Sequence, residues 1–108
     1  MRIETDIVFR DMESSEAVQS AVEKYIEKIE RHYSMVQRCR VVIEQSHRSQ
    51  NSGNLFEVSL DIAVPGTSII VGRDGAKDES HEDIYVAIRD AFLAAERQLD
   101  KYAAKRQP

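Results

Sequence analysis

Phe56-Glu57-Val58-Ser59-Leu60-Asp61-Ile62-Ala63-Val64 alternates without a break, with Phe56, Val58, Leu60, Ile62 and Val64 on one side of an extended chain and Glu57, Ser59 and Asp61 on the other. Successive side chains of a strand point to opposite faces, so this is a strand with one face in a core and the other in water. An antiparallel sheet covered on one side is the usual home of such a pattern. The rest of the chain must supply partners for its edges and a cover for its apolar face.

Downstream, Pro65-Gly66 is a turn dipeptide, and proline cannot donate to a ladder, so the strand stops and Thr67 to Val71 return as a short neighbour. Upstream, Ser46 to Asn54 is polar and aperiodic, the composition of a long hairpin loop. Before it, Val36 to Glu44 alternates again, with Cys39, Val41 and Ile43 on one face and Arg38, Arg40 and Glu44 on the other. These three segments form a meander. Residues 3 to 9 add a further β-prone run in which Ile3 and Ile7 share a face.

Two stretches have the period of a helix instead. Ser14 or Ser15 can accept from the free N–H groups of a helix start, with Glu16 in the first turn, and Val18, Val22, Tyr25, Ile26, Ile29 and Tyr33 make one apolar stripe. Arg73 to Ser80 is a polar connection, after which Ser80 and Asp83 offer a Ser-x-x-acid cap. The stripe Ile84, Ile88, Ala91, Phe92, Ala95, Leu99 and Tyr102 follows, and fraying is expected from Lys105 to Pro108. The order is β-α-β-β-β-α. Residues 1–108 are therefore expected to form a single α+β domain, a four-stranded antiparallel sheet with two helices packed on one face.

Composition narrows the class. A chain of 108 residues with 42% hydrophobic content can bury one core. The one cysteine, Cys39, has no disulfide partner, and neither a secretory signal nor an apolar run of spanning length is present, so a soluble, unexported, cytoplasmic protein is expected. The formal net charge is −4, but it is unevenly placed: residues 1–16 hold five acids against Arg2 and Arg10, and residues 74–83 hold five against Lys77. What remains carries more bases than acids, and a phosphate contact depends on the local field.

Nothing in the pattern suggests catalysis, a cofactor, a metal or a small-molecule substrate. Glu23, Glu27 and Glu30 lie on one flank of the first helix, where acids are ordinarily a solvated face. His32, His47 and His81 lack ligand spacing, Cys39 faces the core with Val41 and Ile43, and Gly72-Arg73-Asp74-Gly75 lacks the spacing and lysine of a phosphate loop. The cations are more informative. Lys24, Lys28 and Arg31 line the other flank of the first helix, and Arg97, Lys101 and Lys105 repeat every four residues on the second, with Arg89 two turns earlier. Solubility alone produces such stripes, but two of them side by side also suit folded RNA held through its phosphates.

Three features together resemble the family of ribosome hibernation factors and ribosome-associated translation inhibitors: the element order, Ala17 to Arg31 (AVQSAVEKYIEKIER), and His81-Glu82-Asp83-Ile84-Tyr85-Val86-Ala87-Ile88 with Glu96-Arg97-Gln98-Leu99-Asp100-Lys101. The resemblance spans almost the whole chain and implies a short, divergent member with a fold like that of double-stranded-RNA-binding domains. It implies a cytoplasmic bacterial stress or stationary-phase protein, monomeric when free. Such a protein occupies the mRNA and tRNA channel of the small ribosomal subunit through rRNA contacts and inhibits translation without chemistry. Lys28, Arg31, Arg97 and Lys101 stand where the family pattern is basic; Lys24, Arg89 and Lys105 come from the stripes alone. Ser80 departs from the pattern, which usually has lysine before His-Glu-Asp, and with Pro108 as the last residue the expectation is a short form that does not pair ribosomes through the dimerisation domain of long forms. The alternative expectation is a protein-interaction module that uses the acidic 74–83 loop or a sheet edge.

Overall fold

A computed structural model describes residues 3–46, 55–72 and 80–106. The expected hairpin loop with His47, the acids Asp74, Asp78 and Glu79, Lys77, and residues 107–108 lie outside this set. The elements are β1 (Glu4–Arg10), α1 (Glu16–His32), β2 (Arg38–Ser46), β3 (Leu55–Val64), β4 (Thr67–Val71), β5 (Ser80–His81) and α2 (Ile84–Arg106).

The strand read from alternation is the centre of the sheet. β3 pairs antiparallel with β2 on one side, setting Cys39 opposite Ile62, Val41 opposite Leu60 and Ile43 opposite Val58. On its other side β4 sets Val71 opposite Leu60 and Ile69 opposite Ile62. Core-facing residues are thus matched across three strands, and a register slip of one residue would carry all of them into water. Val58, Leu60, Ile62 and Val64 are all buried, whereas Glu57, Ser59, Asp61 and Ala63 are only half-buried on the open face.

The expected antiparallel sheet needs a correction. β1 pairs with β2 in parallel, Ile7 against Val41 and Phe9 against Ile43, so the sheet is mixed in the order β1-β2-β3-β4. The reason is the connection: α1 carries the chain back along the sheet before β2 begins, which leaves β1 and β2 pointing the same way. The two-residue β5 also joins the start of β3, Ser80 beside Glu57 and His81 beside Phe56, making five strands among the described residues.

Both helices cover the same face. One continuous core joins Val18, Val22, Ile26 and Ile29 of α1 to Ile88, Ala91, Phe92, Ala95 and Leu99 of α2 and to the inward residues of β2, β3 and β4. Ser15 caps α1, its Oγ accepting from Val18 N–H at 3.2 Å, which decides between the two serines. The α2 start differs from expectation. Asp83 is the cap, accepting from Tyr85 N–H at 2.9 Å through a carboxylate oxygen and from Ala87 N–H at 3.0 Å through its carbonyl. Ser80 is drawn into the ladder with Glu57 and lies outside the helix. At the far end of α2 the Tyr102 hydroxyl donates to Pro65 O at 2.6 Å, fastening the helix to the β3–β4 turn.

Candidate nucleic-acid interface

The two helices lie side by side and run in the same direction. Tyr25 stacks on Phe92 with ring centroids 5.0 Å apart and planes 11° from parallel. Further along, Lys28 Nζ meets Glu96 at 3.4 Å, and the Tyr33 hydroxyl donates to Asp100 at 2.6 Å. Each step up α1 is matched by a step up α2, so the contact is a seam that holds the pair as one surface. Burial, and then the hydrogen bond to Asp100, push the Tyr33 hydroxyl up to about 12 and keep it a donor.

Around this seam the α1 cations gather. Lys24, Lys28 and Arg31, with Ala17, Ser20, Ala21 and Tyr25, line one shallow groove on the flank turned toward α2. The opposite flank is acidic, and its reading as a wholly solvated face needs amending. Glu30 is half-buried and accepts from Ile3 N–H, so it fastens the start of β1 to α1, while Glu23 and Glu27 remain exposed. Charges on α1 are therefore segregated by side.

On α2, Arg89, Arg97, Lys101 and Lys105 are all exposed. They do not form a single row. Four residues overshoot a helical turn by about 40°, so a four-residue repeat winds around its helix. Arg97 and Lys101 fall on the outward face. Lys105 lies two turns beyond Gln98 on the same flank, and Gln98 Nε2 donates to Ile70 O at 3.5 Å, which places Lys105 on the β4 side, away from α1. Arg89 bonds its own neighbour, Nε and Nη2 reaching Asp90 Oδ1 at 3.2 and 3.1 Å.

The acids interleaved with these cations each have a partner within the protein: Asp90 with Arg89, Glu96 with Lys28 and Asp100 with Tyr33. Lys24, Arg31, Arg97 and Lys101 are exposed beside them. On the outer face of the helix pair cations outnumber acids, and the two stripes meet there. Sequence reasoning missed two residues of this face, Tyr85 and Leu93, large side chains that are 48% and 44% exposed. Leu93 lies off the apolar stripe of α2 and has no core to enter, whereas Tyr85 stands seven residues before Phe92 at the edge of the stripe, and only the assembled surface shows it exposed.

The remaining chemistry is sparse. Cys39 is buried, and burial, then the charge of Asp61, push its thiol up to about 12, leaving it a packing group with no thiolate. Among the described residues no three His, Cys, Asp or Glu side chains group as metal ligands would, and no helix is long and apolar enough to cross a membrane.

Fold and surface together define an α+β domain whose two parallel helices cover one face of the sheet and carry exposed cations on their outer side. The sequence matches the family described as Sigma 54 modulation protein / S30EA ribosomal protein over residues 5–107, and the chain belongs to that family. Among solved structures it is similar to a ribosomal subunit interface protein from Coxiella burnetii, with a TM-score of 0.77 and 17% identity, covering 94% of this chain and 99% of that one. It is also similar to the N-terminal domain of Protein Y from Thermus thermophilus, with a TM-score of 0.72 and 22% identity over the same shares. A sequence search of the curated proteins finds no match.

Proposed function

We propose that this protein binds the small ribosomal subunit, lays the outer face of its two helices on rRNA in the mRNA and tRNA channel, and silences translation by occupancy. The observation that carries the reading is the exposure of Lys24, Lys28, Arg31, Arg97 and Lys101 on the paired helices, where they outnumber Asp90, Glu96 and Asp100 on a protein whose net charge is −4. Lys24, Lys28, Arg31, Arg97 and Lys101 act as phosphate contacts, Arg89 joins them from the start of α2, and Lys105 reaches RNA only along the β4 flank. Phosphate contacts position a protein on folded RNA without reading sequence, which suits a factor that recognises one place by shape. Family membership and the subunit interface protein among its structural neighbours support the ribosome as partner. The protein acts in the cytoplasm as a monomer, with no catalytic step, in stress or stationary phase.

The test is co-sedimentation with purified small subunits across a salt series. Binding is expected at low salt and should fall with log[salt] by about 0.7 to 0.9 of a unit per phosphate contact. Lys28→Glu and Arg97→Glu should each weaken it. No binding at low salt would overturn the reading.

A second reading rests on β1, whose ladder partner among the described residues is β2 alone, so its outer edge is open to an extended segment of another protein. It predicts co-purification that survives nuclease.

A further inference from the structure

Of the four tyrosines, three have work inside the fold: Tyr25 stacks on Phe92, Tyr33 donates to Asp100 and Tyr102 donates to Pro65. Tyr85 differs. It stands in the first turn of α2 with its side chain 48% exposed, and its backbone N–H, not its ring, is the part engaged by Asp83. Leu93, two turns further along, is 44% exposed, and Arg89 lies between them. Large apolar side chains left in water beside Arg89 and Arg97 mark a contact that is incomplete in the free protein.

The groove beside it has a shape to match. Tyr25 lies opposite Phe92, Lys28 opposite Glu96 and Tyr33 opposite Asp100, which fixes the offset between the parallel helices. Counted toward the N-termini, the same offset brings Ala17 level with Tyr85 and Ala21 level with Arg89 along the helix axes. Ala17, Ser20 and Ala21 are small, and they leave the shallow end of the groove whose other end carries Lys24, Lys28 and Arg31. An exposed aromatic ring on one helix, beside a neighbouring helix whose shallow groove carries cations one turn apart, can hold a splayed nucleotide: the base on the ring, the backbone along the cations. Duplex RNA offers no free base face and makes no use of the ring.

We propose that Tyr85 stacks on an unpaired base of the bound RNA while Arg89 and Lys24 hold the adjoining phosphates, so that the helix pair selects RNA with a single-stranded or flipped-out nucleotide. This rests on the proposed function and adds a binding residue and a ligand class to it. The chain has no tryptophan, so Tyr85→Trp introduces a lone indole as a reporter.

Three probes decide it: purified small subunits, a single-stranded oligoribonucleotide, and a perfect RNA duplex of equal length. The Tyr85→Trp emission should be quenched by the first two and left unchanged by the duplex. Stacking on an aromatic side chain is worth about 1 to 3 kcal/mol per base, so Tyr85→Ala should weaken subunit binding by about five- to 150-fold, and Tyr85→Phe by less than about two-fold. Thermal unfolding of all three variants checks that the exposed site leaves the fold intact. Wild-type affinity in Tyr85→Ala, or an unquenched Tyr85→Trp on subunits, overturns the proposal while Lys28→Glu still reports on RNA binding itself. Loss in Tyr85→Ala of a partner that resists nuclease also overturns it, since the ring then serves a protein contact. Failure of the wild type to bind subunits at all removes the underlying reading and the proposal with it.

Discussion

Lys28 and Glu96 meet across the two helices at 3.4 Å, the lysine side chain 47% exposed and the glutamate 20%. The better-shielded partner is the acid, so the pair holds a negative charge at the centre of the cationic face and keeps Lys28 folded toward it. Phosphate must compete with Glu96 for that lysine. The same carboxylate therefore limits RNA affinity while it steadies the helix seam.

Glu96→Gln is accordingly expected to tighten binding to small subunits several-fold at low salt and to steepen the salt dependence by about one contact. Its cost in stability should be small, below about 1 kcal/mol, because the pair is partly exposed and screened. Co-sedimentation over a salt series and a urea titration measure the two effects separately. Unchanged or weaker binding in Glu96→Gln would mean that Lys28 does not contact phosphate.

Tyr33 and Cys39 set the alkaline limit of the fold. Both hold their protons more tightly folded than unfolded: the ordinary values of 10.0 and 9.0 are pushed up to about 12, Tyr33 by burial and then Asp100, Cys39 by burial and then Asp61. A proton bound more tightly in the folded state stabilises fully below the unfolded pKa, and that stability is lost as pH rises toward the folded one. The urea midpoint should therefore be flat to about pH 9 and fall from there toward about pH 12. Cys39→Ala should delay the onset of the fall, and Tyr33→Phe should flatten the part above pH 10.0. Tyr33→Phe should also cost about 1 kcal/mol at neutral pH through loss of its bond to Asp100. Identical slopes in wild type and both variants would refute this assignment.

Periodicity is a local property, and what depended on it was legible in the sequence. The alternation of Phe56 to Val64 marked a strand with one covered face, and the stripes from Val18 and Ile84 marked the faces of α1 and α2 that meet the sheet. The parallel pairing of β1 with β2 was not legible, since strand direction depends on where α1 returns the chain. Cation spacing located the two stripes, but their relation was hidden. Lys28 with Glu96 and Tyr33 with Asp100 join residues far apart in sequence, and a four-residue repeat reads as one row until its winding is followed to Lys105. Tyr85 escaped notice because exposure is a property of the assembled surface.

The α2 start offers a direct comparison. Ser80 and Asp83 together make a Ser-x-x-acid pattern, and Asp83 meets the helix backbone at Tyr85 N–H and Ala87 N–H while the backbone of residue 80 lies in β5. Replacing a capping residue by alanine typically costs about 1 kcal/mol. Asp83→Ala should lose roughly that much in a urea titration, and Ser80→Ala should lose little, because the backbone of residue 80 makes the ladder with Glu57 whatever its side chain. The reverse order would place the cap back at Ser80.

Among the described residues two glycines carry positive φ, and they should respond differently to a side chain. Gly66 in the β3–β4 turn has φ 87°, and a Cβ there would meet nothing within 4 Å. Its alanine variant bears only the left-handed backbone strain, about 1 to 2 kcal/mol. Gly72 after β4 has φ 79°, and a Cβ there would lie 2.5 Å from Val58 O, on the backbone of the central strand. That oxygen cannot rotate away as a flexible side chain could. Gly72→Ala must shift either the end of β4 or the middle of β3, where Val58 pairs with Ile43 in the core. The loss is expected to exceed that of Gly66→Ala by at least about 1 kcal/mol, the range in which a forced backbone shift adds to φ strain. Thermal unfolding of the two variants side by side measures the difference, and equal losses would mean that β4 ends free of β3 at Gly72.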